Sequence, residues 1–123
     1  MRKLRATLFV VALAAVAAAA PGFASRTAET PRQIIDITAE RFAFTPSEVK
    51  VKAGTALEIR LRSDDTAHGF HIVGTDVDIE LPKRGRGVAT VMFTPKAGRY
   101  TFECSRLCGA GHEFMRGVIV ASE

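Results

Sequence analysis

From Gln33 to Ser122 the apolar residues recur at every second position, not at the repeat of a helix. "QIIDITAERFAF" alternates through Ile35 and Ile37 and, after a break, Phe42 and Phe44. "SEVKVKAG" sets Val49 and Val51 against Lys50 and Lys52, and "ALEIRLRS" sets Leu57, Ile59 and Leu61 against Glu58, Arg60 and Arg62. "GVATVMFTP", "GRYTFEC" and "MRGVIVAS" continue the pattern, with turn signals such as "TPSE", "KAGT" and "PKAG" between the runs. No long amphipathic helix is predicted after the first two dozen residues. Short half-buried strands at regular spacing predict an all-β fold, an antiparallel sandwich or barrel.

The first residues follow a different rule. "MRKLR" is a cationic head, Ala6 to Ala20 is a 15-residue apolar run, and "PGFAS" places Gly22 and Ala24 at the positions a signal peptidase reads. Residues 1–24 are therefore expected to be a signal peptide; an uncleaved N-terminal membrane anchor is the alternative, against which stand its short length and its Pro-Gly break. Residues 25–32 read as a polar linker and 33–123 as the folded domain. Either way the domain faces an oxidising space, the periplasm or the outer face of the cell membrane.

Export changes the charge balance. Without Arg2, Lys3 and Arg5 the 17 basic residues fall to 14 against 13 acidic ones, so the net charge drops from +4 to about +1. "PKRGRG" (Pro82 to Gly87) is a local basic cluster that glycine and proline mark as a solvated loop. No concentrated basic face and no aromatic stacking platform are present, with one tyrosine and no tryptophan in the chain, so nucleic-acid binding is excluded.

The chemistry gathers in "FECSRLCGAGHEFMRG", where Cys104, Cys108, His112 and Met115 fall within twelve residues. Thiolate, imidazole and thioether together select copper over hard cations. Cys108, His112 and Met115 alone have the order of a mononuclear blue-copper loop; a second imidazole is available upstream from His68 or His71 in "DDTAHGFHIVG". Cys104 adds a second thiolate. Two thiolates can each bridge two copper ions, with one histidine on each metal and a thioether and a backbone carbonyl in the weak positions. A permanent disulfide is the plainer reading of two cysteines in an exported chain, but its loop would be very short and it leaves His112 and Met115 unused. Asp64 and Asp65 read as a turn from which a carboxylate can hold a ligand histidine by its second nitrogen. Phe70, Phe102 and Phe114 are expected to form an apolar collar, and Gly109 and Gly111 to give the loop backbone freedom.

"CSRLCGAGHEFM", with "DDTAHGFHIVG" upstream, resembles the binuclear copper A domain of cytochrome c oxidase subunit II, over roughly Ile34 to Val120. The resemblance implies a cupredoxin-like Greek-key sandwich. It implies that Cys104 and Cys108 are the bridging thiolates, His68 and His112 the imidazole ligands, Met115 the weak thioether and the carbonyl of Arg106 the backbone ligand. It favours His68 over His71, which is left as a partly buried neighbour. Three departures accompany it. In many family members position 106 is a glutamate that helps hold a magnesium ion, a role closed to a guanidinium. The aromatic-rich electron-entry segment and the transmembrane hairpin have no counterpart, which fits a free or singly anchored domain.

The expected function is one-electron transfer by a two-copper centre, the domain itself being no enzyme, although it could serve as accessory subunit of an oxidase or nitrous oxide reductase. Its partners would be redox proteins such as a c-type cytochrome or a terminal oxidase or reductase, with membrane contact only through an uncleaved N-terminus. A periplasmic copper chaperone or buffer, or a mononuclear blue-copper protein on the same fold, is the alternative. A chaperone should carry methionine- or histidine-rich tracts, and only Met92 and Met115 remain after export. A cysteine hydrolase lacks an evident third group to orient His112.

Overall fold

Among the described residues the chain forms nine strands: β1 (Arg32–Glu40), β2 (Ala43–Thr45), β3 (Glu48–Lys52), β4 (Ala56–Ser63), β5 (His68–Ile72), β6 (Asp78–Leu81), β7 (Ala89–Phe93), β8 (Gly98–Glu103) and β9 (Arg116–Ser122). A 3-10 turn covers His112–Phe114. This computed structural model describes Gly22, Thr27 and residues 29–123. The expected signal, apart from Gly22, and the expected linker, apart from Thr27 and 29–32, lie outside the described residues.

Two sheets face each other, one in the order β2-β1-β4-β7 and the other β3-β9-β8-β5-β6. The expected all-β sandwich is what the chain builds. Within it β1 runs parallel to β4 and β3 parallel to β9, because the chain changes sheets between β2 and β3 and again between β3 and β4. The remaining pairs are antiparallel.

The period-two faces meet in the core as the alternation requires. Ile35, Ile37 and Ala39 of β1 and Leu57, Ile59 and Leu61 of β4 face Val49 and Val51 of β3, Phe70 and Ile72 of β5, Phe102 of β8 and Ile119 of β9. Each of the larger of these side chains stabilises the fold by about 1.5–3 kcal/mol on burial. Phe44, from the first sheet, meets Phe70 and Phe102, from the second, with ring centroids 5.8 and 5.3 Å away in edge-to-face contact. Glu58 lies on the other face of β4, where Arg32 and Arg60 pair with its carboxylate at 3.0 and 2.8 Å.

The registers decide where the loops go. Ala39 lies beside Ser63, so β1 and β4 end together; His68 lies opposite Leu81, so β5 starts where β6 stops; and Glu103 lies opposite Arg116, where β8 ends and β9 begins. Residues 41–42, 64–67, 82–88 and 104–115 therefore gather at one end of the sandwich. The "PKRGRG" segment is the exposed β6–β7 loop there, and the N–H of Arg84 donates to the carbonyl of Asp65.

Candidate metal centre

Cys104 leaves β8 at the loop end, and its N–H donates to the carbonyl of Met115 at 3.0 Å, which closes the base of a twelve-residue loop. Both cysteines are free thiols, buried to 5 % exposure, with Sγ atoms 3.7 Å apart. His68 opens β5, is fully buried, and turns Nδ1 toward Cys104 Sγ at 3.9 Å. His112, half-buried in the 3-10 turn, turns Nδ1 toward Cys108 Sγ at 3.6 Å. The carbonyl of Arg106 stands 3.1 Å from Cys104 Sγ, and the buried Met115 Sδ 3.9 Å from Cys108 Sγ. Donor atoms of His68, Cys104 and Cys108 all lie within 4.8 Å of one another. All six residues singled out in the sequence thus converge, with one histidine nitrogen approaching each thiol.

Residues around this cluster fix it from outside. His68 Nε2–H donates to Asp65 Oδ1 at 2.6 Å, which fixes the ring with Nδ1 as the nitrogen that faces the thiols. The same carboxylate accepts the N–H of Thr66 at 2.7 Å and of Arg41 at 2.8 Å. Burial opposes ionisation of Asp65, but these bonds outweigh it and hold the carboxyl below its usual range. Burial pushes the Cys108 thiol up to about 11, and the neighbouring Cys104 adds to the shift. Ser105 Oγ–H donates to Asp78 Oδ1 at 2.6 Å and Arg106 Nη1 lies 3.3 Å from the same oxygen, so Asp78 ties down the turn between the cysteines. The Ser105 bond, with the Arg106 charge as a smaller contribution, lowers the Asp78 carboxyl.

Two close approaches need glycine. A methyl group on Gly69 would run into Ser105 Oγ and the Arg106 backbone, and Gly69 N–H reaches Cys104 Sγ at 3.5 Å. On the other side the ring of Phe42 lies against Gly109 and Gly111. Gly109 has φ +144, as the expectation of backbone freedom requires. Gly111 has an ordinary φ of −98, and its reason is space for that ring.

The other residues singled out in the sequence take different places. His71 lies apart from the donor cluster and donates from Nδ1 to the carbonyl of Val77 at 2.9 Å. Phe70 and Phe102 are fully buried core, whereas Phe114 is 75 % exposed and covers nothing. Phe42, expected on an inward strand face, sits at the β1–β2 corner over the ligand loop. Sequence reasoning did not find Arg41, Phe42 or Asp78, each dozens of residues from the loop it supports. A cavity of about 210 Å³ lined by Glu103, Cys104, His112, Glu113 and Arg116 opens beside the donors. A more open depression of about 430 Å³ by Gln33, Lys50 and Ser122 has neither cysteine nor histidine.

The donor set fits a copper-type metal. It offers two thiols, two imidazole nitrogens, a thioether and a carbonyl, with no carboxylate turned into the cluster, and soft donors of this mixture disfavour hard cations.

Comparison with known proteins gives concordant matches. A family model described as a cupredoxin-like domain matches residues 6–121. A cytochrome c oxidase subunit 2 of Thermus thermophilus is 37% identical over 89 residues, 71% of this chain and 64% of that protein. The chain thus spans just under two thirds of that relative's length. Among solved structures, a haem-copper terminal oxidase dimer contains a chain 27% identical, with TM-score 0.65, covering 73% of this chain and 65% of that one. The periplasmic domain of subunit II of cytochrome oxidase from Bradyrhizobium japonicum has TM-score 0.67 over 77% of this chain and 88% of that one; at 21% identity the likeness is one of fold.

Proposed function

Because the chain belongs to the cupredoxin-like domain family, we propose that its loop-end cluster is a two-copper electron-transfer centre of the subunit II type. One observation carries this reading: two free thiols 3.7 Å apart, each approached by its own histidine nitrogen, at 3.9 and 3.6 Å. A mononuclear blue-copper site would leave Cys104 without a task. Cys104 and Cys108 would bridge, His68 and His112 would each cap one metal, and Met115 and the Arg106 carbonyl would take the weak positions.

A copper pair held by two thiolates supplies a one-electron couple whose charge is spread over both metals. The chain's own residues provide the surroundings. Asp65 fixes the tautomer and direction of His68, and Asp78 holds the turn that presents the Arg106 carbonyl. The packed rings of Phe70 and Phe102 keep water from the buried side. His112 is the half-exposed ligand, and Leu107 and Phe114 of the same loop are 87 % and 75 % exposed, which suits close approach of a protein redox partner at this end.

In this reading the domain carries electrons and catalyses nothing alone. It works outside the cytoplasm after export directed by residues 1–24, with 25–32 as linker and 33–123 as domain. Its partners are redox proteins such as a c-type cytochrome or a terminal oxidase or reductase. The similarity to a subunit of an oxidase supports that setting.

Replacing one thiol tests the assignment. Cys104→Ser is expected to bind a single copper, with the optical and magnetic signature of a mononuclear thiolate site, and so is Cys108→Ser. A Cys104→Ser protein with the metal content and spectrum of the unaltered chain would refute the two-thiolate centre.

A further inference from the structure

Arg41, the residue after β1, touches the carboxylate that holds His68 and the backbone of Cys108 without itself joining the donor cluster. Its main-chain N–H donates to Asp65 Oδ2 at 2.8 Å, and the other oxygen of that carboxylate holds His68 at 2.6 Å. Its side-chain Nε–H donates to the carbonyl of Cys108 at 2.7 Å. The next residue, Phe42, lays its ring on Gly109 and Gly111, the stretch of loop that follows Cys108. These contacts add a tie from the other sheet, since β1 belongs to one sheet while β5 and the two strands that the ligand loop spans belong to the second.

We propose that Arg41 is a positioning residue that ties the His68 segment to the Cys108 segment and keeps the ligand loop closed over the reduced thiol pair. Three residues, Gly109, Ala110 and Gly111, separate Cys108 from His112, and besides the Phe42 ring backbone turns brace this stretch. A guanidinium Nε–H is a directed donor, and it stays charged at every working pH, so the anchor does not switch off. A lysine at this position keeps the charge but places a rotating ammonium where the planar donor was. The inference deepens the copper reading in its second readout and rests on that reading there; the first readout needs no metal.

The test compares the unaltered chain with Arg41→Lys, Arg41→Gln and Arg41→Ala, and with Ile59→Val as a mildly destabilised core control. In the first arm the metal-free reduced proteins react with dithionitrobenzoate. A protein thiolate attacks the reagent's S–S bond and releases one thionitrobenzoate anion; the second thiol then displaces the other, loses its proton and closes Cys104 to Cys108 as a disulfide. Closed over thiols buried to 5 % exposure, the loop makes this slow. All three Arg41 variants are expected to react severalfold faster than the unaltered chain and than Ile59→Val. In the second arm, copper affinity by chelator competition is expected to fall about tenfold or more, with altered copper hyperfine couplings even in Arg41→Lys, where the charge is kept.

Equal thiol reactivity in Arg41→Lys, Arg41→Ala and the unaltered chain would overturn the proposal, and so would an Ile59→Val control as reactive as the Arg41 variants. If the unaltered chain binds no copper while the Arg41 variants still expose the thiols, the metal reading fails and the positioning role stands. If it binds two copper ions and the variants change neither arm, the positioning role alone fails.

Discussion

The Cys108 thiol keeps its proton to about pH 11 in the folded chain, because burial disfavours the thiolate and Cys104 adds to the effect. An exposed thiol in the unfolded chain gives its proton up near 9.0. Below that pH both states hold the proton and the group's contribution is fully present. Between about 9 and 11 the unfolded chain alone is deprotonated, so stability is lost as pH rises through that window. Thermal unfolding of the metal-free, reduced protein is expected to weaken more steeply from pH 9 to 11 than that of Cys108→Ser; parallel pH profiles would show that the thiol is not buried as described. At this scale the sequence was most legible where residue type itself carries chemistry. Cys104, Cys108, His112 and Met115 lie in one short segment, and their donor types and spacing suffice to group them. Arg41 and Asp78 were not legible, since an exposed arginine and an aspartate at sequence separations of 67 and 27 residues from their partners carry no local mark.

At the level of elements, the first turn of the ligand loop packs closely against β5. Gly69 leaves room for Ser105 and Arg106 to lie against the strand while its N–H points at Cys104 Sγ. Gly69→Ala overfills that space, at a cost of about 1–3 kcal/mol. Because the loop can yield more readily than the sheet, the variant is expected to keep its strand content by circular dichroism yet hold copper more weakly in chelator competition. Undiminished affinity would mean the loop does not need that approach. Strands β1, β3 and β4 were legible because one face is largely buried and the other wet, which writes the period of two into the sequence. β5 was not: Gly69 has no side chain and four of the five residues of "HGFHI" are buried, so the alternation vanishes where the strand passes under the ligand loop. β6 has four residues, too few to show a period. Phe42 was misplaced for a related reason, since the corner after β1 turns it out of the strand pattern and onto the loop glycines.

For the molecule as a whole, the fold serves to bring distant segments to one end. His68 and the Cys104–Met115 segment are separated along the chain by β6, β7 and β8, and the register of β5 with β6 and β8 sets them side by side. The packed Phe44, Phe70 and Phe102 rings lie in the core between the sheets, so the two sides of the site are carried on one rigid body. The sandwich class followed from the strand count and turn spacing alone, whereas the two parallel pairings depend on which sheet each strand joins, and local pattern does not encode that choice. The central claim is that this arrangement holds a copper pair. The most direct measurement is copper loading of the reduced protein, with metal counting and electron paramagnetic resonance on the same sample. Two copper ions per chain, with hyperfine structure shared by two copper nuclei, is the predicted result; one copper per chain, with hyperfine structure from a single nucleus, would contradict it.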